Sequence, residues 1–208
     1  MCLIFLIEKK LRIFIPQTLK IMCFLLIFCS GILGEINNFY GLFKSFDILL
    51  HFLSSILFAC VGLSLIYKFD NKTEIFNFSP LFTIIFTFCF SMLIGVMWEI
   101  FEYGMDSAFN LDMQKDKYVY NINSVKLDPE IDNNVVNIDN INHTIVYDKN
   151  NNKLLNLNGY LDIGLHDTMK DLIVNFIGAL IFSILGYLYI LNKEKYKFID
   201  EFIIKNAI

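Results

Sequence analysis

The sequence has little charge, little tryptophan and almost no arginine. Charged residues make up 18% of its 208 residues, hydrophobic residues make up 56%, and Arg12 is the single arginine. The mean hydropathy of +0.54 is higher than a soluble domain with about 45–50% apolar residues would have. A formal net charge of −4 excludes a basic nucleic-acid-binding protein, so we expect no nucleic-acid partner. The low charge and the high hydropathy predict a small integral membrane protein that lies in the lipid bilayer.

The cysteines form no CxxC pair and all lie in apolar surroundings, at Cys2, Cys23, Cys29, Cys60 and Cys89. This distribution predicts neither a disulfide framework nor a zinc site of the cysteine type. The abundance of phenylalanine, 22 residues, also excludes disorder as a description of the whole chain.

Four apolar stretches are long enough to cross a bilayer, whose hydrocarbon core takes about 20 helical residues. They are residues 16–34, 46–67, 80–103 and 171–191. A cleaved signal peptide is the alternative for the first stretch, but no small-residue cleavage site follows it. The short apolar run 2–7 is predicted to lie in the membrane interface. We therefore expect an all-α membrane helix bundle with about four transmembrane helices.

Basic residues concentrate near alternate ends of these spans: Lys9, Lys10, Arg12, Lys20, Lys68, Lys72, Lys193, Lys195 and Lys197. Because such residues favour the cytoplasmic side, both termini are predicted to be cytoplasmic, in a bacterial inner membrane. Residues 1–103 then form an interfacial segment and three spans. Residues 104–170 form an external loop rich in Asn and Asp, and residues 171–208 form the fourth span and a basic cytoplasmic tail.

The external loop contains one clear β signal. Two apolar segments, 144–147 and 154–157, flank the run Asp148-Lys-Asn-Asn-Asn, which predicts a β-hairpin with a polar turn. The same run matches the start of a calcium-binding loop, but Lys153 and Gly159 stand where that loop needs Gly and Glu. We therefore favour the hairpin.

Polar and ionisable residues gather near the predicted outer ends of the spans: Asp47, His51, Glu99, Glu102, Asp106, Asp167, Asp171 and Asn175. An ionisable side chain costs about 2.5–3.5 kcal/mol near mid-bilayer. Spacings of three and four residues place these residues on three helix faces. The first face has Asp47 and His51, the second has Glu99, Glu102 and Asp106, and the third has Asp167, Asp171 and Asn175. Gly178 continues the third face to a depth where a neighbouring helix can approach closely. The predicted topology brings the three faces to one depth, so we expect one shared cluster.

The cluster is rich in carboxylates and poor in cations. Packed carboxylates raise one another's pKa, so they hold either protons or a metal ion. Oxygen ligands with one or two histidines suit Mg, Mn, Ca or Zn, and a divalent metal ion is the candidate cofactor. His51 and His166 are candidate cationic members, and Lys44 and Lys170 are placed to reach the rim.

Each candidate residue receives a predicted role. Glu99, Glu102 and His51 are predicted to be catalytic, His51, Glu102 and Asp171 to bind the metal, and Asp47, Asp106, Asp167 and Asn175 to bind other ligands. Structural interpretations stand beside these roles. Asp167 before Thr168 suits a helix N-cap, Asp106 suits a solvated helix end, and His51 suits a hydrogen-bonded interior position.

Three segments together resemble the YjdF-like family of bacterial inner-membrane proteins. They are Phe46-Asp-Ile-Leu-Leu-His-Phe, Trp98-Glu-Ile-Phe-Glu-Tyr, and Asp167-Thr-Met-Lys-Asp-Leu continuing to Ile177-Gly-Ala. The resemblance covers residues 45–185 and implies the helical fold and the positions of the site, but no reaction. Asp47-x-x-x-His51 and Asp171-x-x-x-Asn175-x-x-Gly178 are also similar to VanZ-like proteins, which are associated with glycopeptide resistance.

These observations leave three function classes open. A metal-dependent hydrolase or transferase would act on a lipid or envelope precursor, with Glu102 or Glu99 as the base. A non-catalytic structural or envelope-stress membrane protein would use the cluster to hold its helices together. An ion or proton-coupled transporter is the third class, although the inner halves of the spans carry almost no ionisable residue.

Overall fold

Four long apolar helices dominate the architecture. The computed structural model describes residues 2–43, 45–70 and 78–206. The helices long and apolar enough to cross a membrane are Gln17–Ile36, Phe46–Lys68, Pro80–Phe109 and Leu165–Leu191. The prediction of a helical membrane bundle with an inserted hairpin is confirmed.

The helices are α1 Cys2–Leu11, α2 Gln17–Ile27, α3 Phe39–Leu42, α4 Phe46–Asp70, α5 Pro80–Phe109 and α6 Leu165–Leu191. A π-helix, Phe28–Ile36, continues α2, and 3₁₀ turns form at Val125–Leu127 and Lys197–Phe202. The strands are β1 Ile13–Phe14, β2 Tyr118–Val119, β3 Ile122–Ser124, β4 Val136–Ile138, β5 Thr144–Tyr147, β6 Lys153–Leu157, β7 Tyr160–Leu161 and β8 Lys205–Asn206. They pair antiparallel as β1–β8, β2–β7, β3–β4 and β5–β6.

Helix α6 begins earlier than the predicted start at residue 171. The cause is Asp162, whose carboxylate accepts hydrogen bonds from the backbone N–H of His166, 2.9 Å away, and of Gly164, 3.2 Å away. Gly164 adopts a φ of +87°, a conformation that glycine takes without strain. The interpretation of Asp167 as the N-cap is therefore wrong, because Asp167 lies inside the first turn.

The chain divides into two compact units, Met1–Ile100 with Lys170–Ile208, and Phe101–Met169. The core of the first unit joins α2, α4 and α6 to the chain segment after α6. Ile199 is fully buried there and Ile203 is 5% exposed, in one apolar cluster with Leu19 and Leu63. The segment predicted as a basic tail is thus folded onto the helices as far as residue 206, and β8 pairs with β1.

The second unit contains short strands and polar turns between the end of α5 and the start of α6. Strands β5 and β6 form the predicted hairpin. Asp148 closes its turn by accepting hydrogen bonds from the backbone N–H of Asn150 at 2.8 Å and of Asn152 at 2.7 Å. The Asn152 side chain donates a further bond and, with these N–H groups, lowers the pKa of Asp148. The Asp148 carboxylate therefore has a structural role in the turn.

Candidate metal centre

Three ligand-bearing side chains of the first unit converge where α4 and α6 begin. Asp47 and His51 lie one turn apart on α4, and Asp171 lies near the start of α6. One ligand atom from each of the three lies within 4.8 Å of the other two. Asp171 is 1% exposed and His51 is 8% exposed, whereas the Asp47 side chain is 26% exposed, so the group is open on the side of Asp47. Two carboxylates and one imidazole are ligand types that divalent cations bind.

The two ring nitrogens of His51 face different carboxylates. Its Nε2 atom lies 3.5 Å from Asp47 Oδ1, and its Nδ1 atom lies 3.8 Å from Glu99 Oε1 on α5. Glu99 is buried, with 4% of its surface exposed. This arrangement is typical of a metal-ligating histidine, in which one nitrogen binds the metal while the other is oriented by a carboxylate.

A lysine supplies positive charge at the edge of this group. Lys170 Nζ lies 3.7 Å from Asp47 Oδ2 and 3.6 Å from Asp171 Oδ1. The sequence predicts Lys170 only at the rim of the cluster, but its long side chain lets its ammonium group approach both acids. One lysine offsets one negative charge, so Asp47, Glu99 and Asp171 together still leave an excess of acid.

A stripe of small and hydroxylated residues brings α5 close to its neighbours. The buried face of α5 repeats every four residues: Thr83, Thr87, Ser91, Gly95 and Glu99. Ser91 Oγ donates a 2.7 Å hydrogen bond to the carbonyl oxygen of Ser55 on α4. This stripe was not predicted from the sequence, although its regular spacing is a readable signal for close helix packing.

Asn175 adds a buried amide near this contact. It is 3% exposed, and a Cβ atom built at Gly95 would lie 2.7 Å from its Nδ2 atom. Among the residues that the structure describes, this Nδ2 atom has no hydrogen-bond acceptor. A buried N–H group in that condition is suited to a ligand oxygen.

The other predicted site residues lie in the second unit. Asp106 accepts hydrogen bonds from the backbone N–H of Met113 at 2.6 Å and of Gln114 at 2.8 Å. Asp167 accepts one from the backbone N–H of Lys115 at 3.0 Å and lies 3.4 Å from Lys117 Nζ. These two acids organise the chain that follows α5.

Glu102 lies on α5 and is half-buried within the second unit. The group of converging ligand atoms contains Asp47 beside His51 and Asp171, whereas Glu102 is the ligand predicted from the sequence in that place. The role of Glu102 as a ligand stays a prediction.

An apolar cavity of about 400 Å³ lies between α5 and α6 within the first unit. Its lining includes Leu81, Phe88, Phe176 and Leu180, and the rings of Phe88 and Phe176 meet edge to face with centroids 5.2 Å apart. The volume falls in the usual range of ligand pockets, about 300–1,000 Å³.

A protein-family model, described as "Predicted membrane protein (DUF2238)", matches residues 1–192 of the sequence. No curated protein and no solved structure is similar enough to the sequence to count as a match.

Proposed function

We propose that this chain, which belongs to the DUF2238 family of predicted membrane proteins, acts within the bilayer as a metal-dependent hydrolase or transferase. Its proposed substrate is a lipid or an envelope precursor. The observation that carries this proposal is the approach of Asp47, His51 and Asp171, whose ligand atoms lie within 4.8 Å of one another.

The donor set supports a catalytic rather than a purely structural metal. Three protein ligands leave a coordination position for water or for a substrate oxygen, whereas structural zinc sites close all four positions. A divalent ion bound there would activate water and polarise a phosphoryl or carbonyl group. His51 would bind through Nε2, with Glu99 orienting the ring through Nδ1.

Two further groups have proposed roles in the reaction. Glu99 or Glu102 is the proposed general base, a role that a carboxylate in a low-dielectric setting can fill. The Nδ2 atom of the buried Asn175 is the proposed donor to a substrate oxygen. Asp106 and Asp167, proposed from sequence as binding residues, also have the structural hydrogen bonds described above.

The cavity between α5 and α6 supports a substrate with an acyl or isoprenoid chain. Phe176 of its lining follows Asn175 on α6, so one end of the cavity lies at the same level along the helix as Asn175. A lipid with its chain in this cavity would present its polar end towards Asp171.

The proposed location is the bacterial inner membrane with both termini in the cytoplasm. The pairing of Ile13–Phe14 with Lys205–Asn206 supports a common side for the two ends of the chain. The basic residues beside the spans support the cytoplasm as that side. We also propose a relationship to YjdF-like and VanZ-like proteins, which is supported only by the sequence motifs described above.

Metal analysis of the purified full chain tests the proposal. Wild type, His51→Gln and Asp171→Asn are loaded with Zn²⁺, Mn²⁺ or Mg²⁺ and desalted, and bound metal is measured by mass spectrometry. The matched controls are His143→Gln and Asp139→Asn, which change exposed loop residues. We expect metal in wild type and controls and its loss in both site variants. Equal metal content in all five proteins would overturn the proposal.

The second candidate is a non-catalytic structural or envelope-stress protein. The ion pairs of Lys170 with Asp47 and Asp171 favour it, because they neutralise charge without a metal. A transporter is less favoured, since the buried face of α5 below Glu99 carries Ser91, Thr87 and Thr83 but no ionisable residue. Under the structural candidate, His51→Gln lowers the melting temperature and leaves metal content unchanged.

A further inference from the structure

A small basic pocket lies at the opposite ends of α4 and α6 from the metal centre. It encloses about 210 Å³ within the first unit. Its polar lining consists of Tyr67, Lys68, Tyr189, Lys193, Asp200 and Lys205. The volume has room for a phosphate group and several water molecules, at about 30 Å³ for each water.

The pocket has an excess of positive charge. Three of its lining residues are lysines and one is an aspartate. Asp200 is already engaged, because it accepts a 2.8 Å hydrogen bond from the Tyr189 hydroxyl and lies 3.9 Å from Lys205 Nζ. Lys193 Nζ lies 5.7 Å from the centre of the Tyr67 ring, which holds the ammonium group beside the pocket.

The pocket lies at the level where two spans end. Lys68 is the last residue of the second candidate span, and Lys193 follows the end of α6 at Leu191. Tyrosine is enriched at the membrane–water interface, and the lining contains Tyr67 and Tyr189. Basic pockets between helices at this level bind anionic lipid head groups.

We propose that this pocket binds a phosphate group, with the head group of an anionic phospholipid as its source. Lys68, Lys193 and Lys205 would donate charge-assisted hydrogen bonds to the phosphate oxygens. The proposal does not depend on the proposed metal chemistry, which uses the other ends of the same helices. Burial of Ile199 and Ile203 folds the segment 197–205 onto the helix ends, and this fold brings Lys205 to the pocket that Lys68 and Lys193 line.

Lipid binding to the full chain in detergent, measured by native mass spectrometry, tests the proposal. The probes are phosphatidylglycerol, phosphatidylcholine and inorganic phosphate. The variants are Lys193→Gln and Lys205→Gln, and the control is Lys195→Gln, which removes the same charge from an exposed residue outside the pocket. We expect wild type to prefer phosphatidylglycerol and each pocket variant to lose about fivefold in that affinity. Melting temperatures confirm that the variants fold.

The outcomes separate the possible sources of phosphate. Lysine-dependent binding of phosphatidylglycerol, with weak competition by inorganic phosphate, supports the head-group site. Lysine-dependent binding of inorganic phosphate without lipid preference supports the anion site and assigns it to free phosphate. Equal losses in Lys195→Gln and Lys193→Gln, or binding of phosphatidylglycerol and of inorganic phosphate that does not depend on the pocket lysines, would overturn the proposal.

Discussion

Gly178 of α6 lies against Ser55 of α4 with no room for a side chain between the two helices. A Cβ atom at position 178 would overlap Ser55 Oγ and would stand 2.9 Å from the carbonyl oxygen of Phe52. His51 lies one turn from Ser55 on α4, and Asp171 lies two turns from Gly178 on α6. The close approach of the two backbones therefore sets the distance between the metal-ligand candidates.

We expect Gly178→Ala to destabilise the protein by about 1–3 kcal/mol, the usual effect of overpacking a tight contact. The reason is that the obstructing atoms include the Phe52 carbonyl, which cannot rotate away as a side chain can. Thermal unfolding in detergent measures the effect. Gly104→Ala is the control, because no atom lies within 4 Å of a Cβ there. An equal loss in both variants would contradict the packing argument.

Replacing Lys170 with Gln should strengthen divalent-metal binding severalfold. The Lys170 ammonium lies within 4 Å of both Asp47 and Asp171, so it competes with a cation for the same oxygens. Equilibrium dialysis with Zn²⁺ or Mn²⁺ measures the change, with the exposed Lys149→Gln as the control. A lower melting temperature with unchanged metal affinity would instead favour the structural candidate.

Removing the Glu99 carboxylate should weaken metal binding about 10–100-fold, as loss of an outer-shell partner of a ligating histidine does. Glu99 Oε1 lies 3.8 Å from His51 Nδ1 and is placed to orient the ring. We expect Glu99→Ala to show the full loss and Glu99→Gln a smaller one, because the amide oxygen still accepts a hydrogen bond. Identical affinities of Glu99→Ala and wild type would exclude this positioning role.

We expect Ile199→Ala to lower the free energy of unfolding of the first unit by about 2–5 kcal/mol. Its side chain is fully buried in the cluster that contains Leu19 and Leu63. The neighbouring Phe198 is 52% exposed, so Phe198→Ala serves as the control. Chemical denaturation of the full chain measures the stability of both variants. If the segment after α6 were not packed on the helices, Ile199→Ala and Phe198→Ala would have equal stabilities.

Acid should loosen the turn that begins α6. Burial raises the pKa of Asp162, but hydrogen bonds from the backbone N–H groups of Lys117, His166 and Gly164 outweigh burial and lower it. A depressed pKa in the folded state stabilises the turn above the unfolded value of about 3.9, and this stability is lost as the pH falls through the folded pKa. The protection factor of segment 162–166 against hydrogen exchange, taken relative to the intrinsic rate at each pH, should therefore fall below about pH 4.

Asp162→Asn should lower the protection factor of segment 162–166 at neutral pH and remove its dependence on acid. The exposed Asp139→Asn is the control and should leave this protection factor unchanged. A protection factor that still falls in acid in Asp162→Asn would assign the effect to another group.

Local pattern was sufficient to predict the four long helices and the hairpin. A run of about 20 apolar residues has few structural options in a bilayer, because every backbone group must be bonded within the helix. Likewise, Asp148 and the asparagines after it favour a turn wherever they stand, since the carboxylate bonds the backbone a few residues on. Such features depend on neighbours along the chain.

Helix spacing alone placed Asp167, Asp171 and Asn175 on one face, but it could not decide which partners each residue meets. Asp167 bonds within the second unit, whereas Asp171 approaches His51 and Asp47 in the first. That choice depends on how the helices rotate and how closely they approach, which the contact between Gly178 and Ser55 determines across a long sequence separation. The sequence by itself determined the long helices and which helix faces carry acidic residues. Only tertiary packing decided which of these acids share a site with His51.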